Sequence, residues 1–473
     1  MTRYLFLLGL LSFGCMASRG VIRPDDYAPR SAASMYQIDM RVPKLEDRDE
    51  PAVLVELVDI ALRNNPSTKL TWAKARAAAA LWAQAQSADF PVLSGSYSIQ
   101  RDRTSTVETS GTTGSGLSRS GTLIFVSQST TWGPQLQLSY TLLDFGLTAA
   151  NVRAAKEALL EADFTHNFQI QTVLNQVAAD YYNYLSQQEL LRAQEADLAT
   201  AVLTEDVVKK EIEVGVKTIS DLLQAQTTRL QTEINLTTQV QNVVNARAQL
   251  LTDVGLGAQS KLKIADQVEI PELDLMEQNV DAILAVALTK RADLLASEAA
   301  LRSQEANVDA AWRQFLPNVT YNLTATHDRV KPGGNLGLNY TGILSVNFPI
   351  FSGFSTWNGL RQARAVRDQA KATLEQTQLT VVENVMTSYS AVKTALASLK
   401  LSDELLVVAE QQYTVALTRY KAGVGTIVEL ITAQNTLAAA RSQNASSASN
   451  WLTSIVALSY AAGTLMPSPR GVQ

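Results

Sequence analysis

Apolar residues recur along this chain with two different periods, and the change from one to the other happens twice. Through residues 52–88 and again through 278–314 the spacing is helical, in Ala-rich stretches that stop just before Pro91 and Pro317. The period then drops to two. Leu93, Gly95, Tyr97 and Ile99 alternate with Ser94, Ser96, Ser98 and Gln100, and Leu136, Leu138, Tyr140 and Leu142 alternate with Gln135, Gln137, Ser139 and Thr141. Later, Val319, Tyr321, Leu323 and Ala325 alternate with Thr320, Asn322, Thr324 and Thr326, and Leu344, Val346, Phe348 and Ile350 follow with Ser345, Asn347 and Pro349 between them. Four two-faced strands are predicted, at about 92–101, 133–143, 318–327 and 340–350.

After each strand pair the helical period returns in a very long run. Leu147–Glu213 and Phe354–Tyr420 contain no Pro and almost no Gly. At 1.5 Å per residue each predicts a helix of about 100 Å, which suits a coiled coil or a tube wall rather than a globular core. In the first, Ile170, Leu174, Val177, Tyr181, Tyr184, Leu191, Leu198 and Val202 keep a 4–3 spacing broken by Gln188 and Glu195. Shorter helices return over about 219–254 and 427–462. The fold class is mainly α with a small β part.

The two halves are copies. Val214-Gly215-Val216-Lys217-Thr218-Ile219-Ser220-Asp221 matches Ala422-Gly423-Val424-Gly425-Thr426-Ile427-Val428-Glu429 at an offset of 208 residues. Leu143-Asp144-Phe145-Gly146 likewise matches Ile350-Phe351-Ser352-Gly353. The expected division is a signal peptide at 1–14, a tail at 15–51, a first repeat at 52–257, a linker at 258–277, a second repeat at 278–463 and a tail at 464–473.

The strands' polar face is nearly uncharged, and their length suits a tilted membrane-crossing strand of roughly 9–11 residues. Four strands cannot close a barrel, and open edges in lipid leave backbone groups unpaired, so several chains must pool them. The Ser/Thr/Gly-rich stretch 101–131 and the stretch 327–339 with Pro332-Gly333-Gly334 are expected as outward loops.

Composition narrows the function. With 40 Lys+Arg against 45 Asp+Glu and a net charge of −5, there is no basic footprint for nucleic acid. One cysteine and two histidines barely supply a zinc site. His166 and His327 have no nucleophile pattern beside them, so no catalytic group, cofactor or metal is expected. The cysteine is informative for another reason. Met1-Thr2-Arg3, the apolar run Tyr4–Leu11 and then Ser12-Phe13-Gly14-Cys15 read as an export signal. That placement resembles a bacterial lipoprotein signal, which makes Cys15 the lipidation candidate.

The duplicated helix–strand–strand–helix layout resembles the TolC-type outer-membrane efflux channels over nearly the whole mature chain. The marks are Leu57-Val58-Asp59-Ile60-Ala61-Leu62-Arg63-Asn64-Asn65-Pro66, Leu143-Asp144-Phe145-Gly146, Phe348-Pro349-Ile350-Phe351-Ser352-Gly353 and Arg419-Tyr420-Lys421-Ala422-Gly423. The resemblance implies a homotrimer in which a 12-stranded β-barrel caps a long α-helical coiled-coil barrel in the periplasm. It also implies a bacterial outer-membrane location among lipid, and a periplasmic adaptor that connects the channel to an inner-membrane pump. The same fold serves as an exit duct for protein secretion, and a pore-less periplasmic scaffold is a further alternative.

Within that resemblance the helical-hairpin tips are the functional places. Gly215, Gly423 and Gly425 let the backbone reverse where a Cβ would clash, and Thr218-x-x-Asp221 and Thr426-x-x-Glu429 satisfy the capping-box pattern. Asp221, Glu429 and Tyr420 are the expected periplasmic gate. Gly215, Thr218, Arg419, Gly423, Gly425 and Thr426 are the expected adaptor-contacting tip. The first copy has Glu211-Ile212 where the second has Arg419-Tyr420, and Gly425 stands where well-known members carry a gating Arg.

Overall fold

The computed structural model describes residues 51–110, 121–215, 217–265 and 279–465. The expected signal peptide, Cys15, most of the 258–277 linker and the end of the C-terminal tail lie outside the described residues. The elements in order are α1 (Leu54–Asn64), α2 (Pro66–Gln86), β1 (Val92–Ser110), β2 (Gly121–Leu143), α3 (Leu147–Glu213), α4 (Ile219–Asp253), α5 (Val280–Lys290), α6 (Ala292–Arg313), β3 (Asn318–Lys331), β4 (Gly334–Asn347), α7 (Ser355–Lys421) and α8 (Ile427–Ala461).

The long helices α3 and α7 have 67 residues each, and the returning helices α4 and α8 have 35 each. The first helix of each copy, expected as one, is broken in two. Asn65 takes an extended conformation between α1 and α2, with Pro66 opening α2, where a missing N–H costs nothing. Arg291 makes the same break without a proline (φ −66°, ψ 123°). It is buried, its Nη2 lies 2.6 Å from Asp293 Oδ2, and the residue beyond it begins α6.

The chain folds into two compact units. One, built from Ala79–Ala158 and Leu301–Ala370, holds an antiparallel sheet of order β1-β2-β3-β4. The register puts like with like across the sheet. Leu93 faces Leu138, which faces Leu323, and Tyr140 faces Tyr321, which faces Leu344. On the other face, Ser94, Gln137, Thr324 and Thr341 form one row. Leu138, Tyr140 and Val346 therefore share the apolar face, opposite Gln137, Ser139 and Ser345, because directly opposed residues point to the same side. Much of that apolar face is uncovered within one chain: Leu93, Leu136, Tyr340, Leu344 and Val346 are all exposed.

Three strand expectations need correction. Residues 101–110 and 121–131, expected as loop, continue β1 and β2, where Thr104, Thr106 and Val107 pair with Ser127, Phe125 and Ile124. Their β-branched and aromatic side chains favour extended backbone even with many serines between them. Likewise β3 runs to Lys331 and β4 starts at Gly334, so the expected loop 327–339 shrinks to a tight turn through a cis Lys331–Pro332 bond. In the other direction, β4 stops at Asn347 instead of 350, which leaves Phe348 beyond the strand, next to Pro349, which has no N–H for a ladder.

The second unit is helical and comprises the described parts of Ile22–Ala78, Leu159–Ala300 and Lys371–Gln473. In one core, Leu57 and Ile60 of α1 pack with Val177 and Tyr181 of α3, Leu250 of α4 and Val456 of α8. Tyr181 Oη donates to Ala265 O at 3.1 Å, and Ala52 bridges Ile264, which ties the segment after α4 to the start of the fold. A second core repeats the arrangement, with Ile283 and Ala287 of α5 against Val381, Val385 and Val392 of α7 and Leu458 of α8. Each fully buried Leu or Ile contributes about 1.5–3 kcal/mol. His166 is structural here: its Nδ1 lies 2.8 Å from Thr71 Oγ1, and its ring is tilted against Trp72.

The 4–3 stripe of α3 is buried from Ile170 to Tyr184, but Val202 is 49% exposed while Ala201 and Val208 are buried. The buried face has moved round the helix. A straight helix drifts by ~20° per heptad against a strict seven-residue repeat, and Gln188 and Glu195 interrupt the seam where the drift accumulates.

Candidate functional site

The hairpin tips, both in the helical unit, carry the candidate site. The α3–α4 and α7–α8 tips pack side by side through Val208, Ala225, Tyr420, Ile427, Leu430 and Ile431, with Ile212, Leu222, Tyr413 and Leu417 at the margin. Tyr420 is fully buried there. Its repeat equivalent, Ile212, sits at the edge of the same cluster.

The turns differ in why they need glycine. Gly215 (φ +79°) and Gly423 (φ +74°) have left-handed backbone, and a Cβ on either would meet nothing within 4 Å. The clash expected from the sequence does not occur at these two positions; the dihedral is the reason for glycine. At the end of α7 the Gly423 N–H donates to Tyr420 O (3.0 Å) and the Val424 N–H to Arg419 O (3.1 Å). Clash does explain Gly425, where a Cβ would lie 3.1 Å from both Arg419 C and Tyr420 N.

Both return helices are capped by threonine. Thr218 Oγ1 accepts from Asp221 N (3.4 Å), and Asp221 Oδ2 accepts from Thr218 N (3.3 Å), a complete capping box. Thr426 Oγ1 accepts from Glu429 N at 3.2 Å, but no return bond from the Glu429 carboxylate accompanies it. The two motifs match in sequence, yet the second box is half made. Glu429 is exposed and instead lines a groove between α7 and α8 of about 570 Å³, with Val408, Val415, Arg419 and Val428. The structure thus places Asp221 and Glu429 in different surroundings.

The residue that sequence reasoning passed over is Lys217. Its Nζ lies 4.4 Å from the Tyr420 ring centroid and donates to Gly425 O at 3.4 Å. It therefore reaches from the first hairpin to the second by a cation–π contact and a charge-assisted hydrogen bond. A signal was available: Lys217 and Gly425 occupy equivalent positions in the two repeats, so the extra side chain of one copy meets the bare backbone of the other.

Tyr420 Oη is buried and has no hydrogen-bond partner among the described residues. Burial, reinforced by the Asp221 and Glu211 carboxylates, pushes its pKa up to about 12. The phenol stays neutral, and what it offers Lys217 is its ring face. Higher on the hairpin, Glu205 receives Lys209 at 2.7 Å and Arg229 at 2.7 Å. The Lys209 bond, against a smaller opposing effect of burial, holds its carboxyl below the ordinary range, with Arg229 and Gln226 helping. No group of three or more His, Cys, Asp or Glu that could hold a metal occurs among the described residues.

Against known proteins, the family described as outer membrane efflux protein matches residues 57–256 and 283–464. Among curated relatives, the probable efflux pump outer membrane protein SepC of Pseudomonas putida is 29% identical over 453 residues, 94% of this chain and 88% of its own length. Protein CyaE of Bordetella pertussis is 25% identical over 457 residues, 96% of this chain and 92% of its own length. Among solved structures, the CmeC outer membrane channel of Campylobacter jejuni superposes with a TM-score of 0.75 at 21% identity, covering 87% of this chain and 85% of that one.

Proposed function

The chain belongs to the outer membrane efflux protein family, and from that premise we propose that three copies of it form the outer-membrane exit duct of a tripartite efflux system. An inner-membrane pump drives transport, and a periplasmic adaptor connects the pump to the duct. The carrying observation is the sheet. Its apolar face is exposed in a single chain, and its outer strands β1 and β4 each have an unpaired edge. In lipid those edges require partners, and three chains supply 12 strands that close on one another. The apolar row through Leu138 and Tyr140 then meets lipid, and the row through Gln137 and Ser139 lines an aqueous lumen.

The periplasmic tip is the gate. Lys217 links the two hairpins of each chain across Tyr420, and threefold symmetry turns Asp221 and Glu429 into rings of carboxylates that favour cations. Arg419, Gly423, Thr426 and the groove beside Glu429 receive the adaptor, with Gly215 and Thr218 on the neighbouring turn. Cys15 carries the lipid anchor of the mature protein. The duct itself is passive and performs no chemical step, and the cargo is set by the pump.

The test is membrane fractionation, the mass of the detergent-solubilised protein, and conductance in planar bilayers. Outer-membrane recovery, a mass of three chains and discrete conductance steps are expected. A soluble monomer without conductance would refute the reading.

A further inference from the structure

The apolar face of the sheet changes character along its length. Near the helices its rows are apolar, as in Leu93–Leu138–Leu323 and Tyr140–Tyr321–Leu344. Toward the β1–β2 and β3–β4 turns the register gathers cations on that same face. Ile99 faces Trp132, which faces Arg329, and in the next row Arg101 faces Thr130, which faces Lys331. Arg103 follows, opposite Gln128. The β1–β2 pairing runs unshifted from Val92 to Ser110, and the β2–β3 pairing shifts only between Thr141 and Leu143. Strand alternation therefore carries without a break from Leu138 and Tyr140 to all four cations.

Arg101, Arg103, Arg329 and Lys331 are exposed, and none has an ion pair among the described residues. Asp102 and Asp328, the acids beside them in sequence, alternate onto the opposite face. There Asp102 accepts from Gln100 Nε2 at 2.9 Å. The two signs of charge are thus sorted by face, with the cations above the apolar rows.

The physics of a lipid-facing surface limits where such cations can stand. Arg and Lys are costly at the bilayer midplane and nearly free at the interface. Height agrees with the interface. Arg329 is ten residues along β3 from Val319, which at about 3.4 Å per residue and a tilt of about 40° is roughly 26 Å across the membrane. The apolar band of an outer-membrane barrel is roughly 25 Å tall. Trp132, beside Arg329 in the register, has the amphipathic ring that favours this level. The strand ends next to the helices, Val92, Leu143, Asn318 and Asn347, are at the other end of the sheet, so with the helices periplasmic the cations lie at the outer leaflet.

We propose that Arg101, Arg103, Arg329 and Lys331 dock the phosphate groups of a phosphorylated glycolipid of the outer leaflet. This rests on reading the sheet as part of an outer-membrane barrel. The phosphates meet the cations while the acyl chains lie along Tyr97, Leu93 and Leu138. Arg101 and Lys331 stand two strand spacings apart, about 10 Å, within which their long side chains converge on one phosphate or hold two. The guanidinium forks take phosphate oxygens in pairs, which a lone ammonium cannot do.

Native mass spectrometry of the full-length protein in neutral detergent tests this by counting bound lipid. The probes are lipid A with two phosphates, lipid A with one, and inorganic phosphate as the free-ion arm. Diphosphoryl lipid A is expected on every chain, with the monophosphoryl form about tenfold weaker and inorganic phosphate unable to displace either. Arg101→Gln and Lys331→Gln should each weaken lipid A by about tenfold and leave bilayer conductance unchanged. Asp102→Asn, on the opposite face, should change conductance and keep the lipid. Should Arg101→Gln fail to assemble, Lys331→Gln decides. The proposal is overturned if lipid A binds both cation variants as tightly as wild type, if Asp102→Asn weakens it equally, or if inorganic phosphate displaces it. Conductance altered by Arg101→Gln with lipid binding intact would place these cations in the lumen and overturn it too. A soluble monomer without conductance refutes the duct itself, whereas a conducting trimer indifferent to lipid A refutes only the docking site.

Discussion

Replacing Lys217 by methionine keeps most of the side chain's bulk and removes the charge. The structure assigns that charge two contacts, the Tyr420 ring face at 4.4 Å and Gly425 O at 3.4 Å. A cation–π contact at a half-buried site is worth about 0.5–2 kcal/mol. The hydrogen bond is long and adds at the low end of about 1 kcal/mol. Together they give about 1–2 kcal/mol per chain, a factor of roughly 5–30 in the balance between joined and separated hairpins. Lys217→Met should therefore raise channel open probability in planar bilayers, and Lys217→Arg should largely preserve closure because a guanidinium also stacks on aromatic faces. Tyr420 gives the internal control. Tyr420→Phe keeps the ring and discards an unpartnered hydroxyl, so it should gate like wild type and melt no lower; Tyr420→Leu should behave like Lys217→Met. In a double-mutant cycle, Lys217→Met in a Tyr420→Leu background should add little beyond the loss of the hydrogen bond to Gly425. If Tyr420→Phe opens the channel as far as Tyr420→Leu does, the hydroxyl is the working group and the latch does not exist.

Three further outcomes follow from particular residues. Burial, then hydrogen bonding and repulsion from the neighbouring Asp253 carboxyl, pushes Asp180 up to about 7, with Gln176 opposing. The folded state thus holds this proton more tightly than the unfolded chain, so the stabilisation is complete below about pH 4 and is lost as pH rises through 7. Melting temperature should drop between pH 5 and 8, and Asp180→Asn should flatten that drop; an unchanged slope would exonerate Asp180. Gly423→Ala should cost about 1–2 kcal/mol, the backbone strain of left-handed φ alone, whereas Gly425→Ala must displace the last turn of α7 and should alter gating more than it alters melting, which paired conductance and thermal scans would separate. Arg placed at Leu138 should destabilise the assembled protein by about 2–4 kcal/mol near the bilayer midplane, while Arg at Ser139 should chiefly change conductance; equal melting losses on detergent gels would contradict the two-faced sheet.

Much of the fold was written in the sequence because its signals are local. A 67-residue run without proline had to be helix, and the period-two stretches had to be strands with one apolar face. The offset of 208 residues between matching turns already established the duplication. The capping threonines were equally legible, since a cap involves only three neighbouring residues. The glycines at 215 and 423 were legible as turn positions, but the clash expected there is absent and the left-handed dihedral is the reason for them.

What the tertiary structure decided depended on residues far apart in the chain. The helix break at Arg291 is held in the folded state by burial of its side chain and by the bond from its Nη1 to Ala461 O at 3.5 Å, 170 residues away. The extra length of β1 and β2 came from cross-strand pairing, which serine-rich composition conceals. Equal capping motifs gave one full and one half box, since Glu429 found other surroundings. The pairing of Lys217 with Tyr420 and Gly425 exists only because two repeats meet at their tips and differ there, Lys217 standing opposite Gly425 and Tyr420 standing where the first copy has Ile212. A repeat tells where equivalent positions lie along the chain; only packing tells which of them touch, and contact energies fall off within a few ångströms.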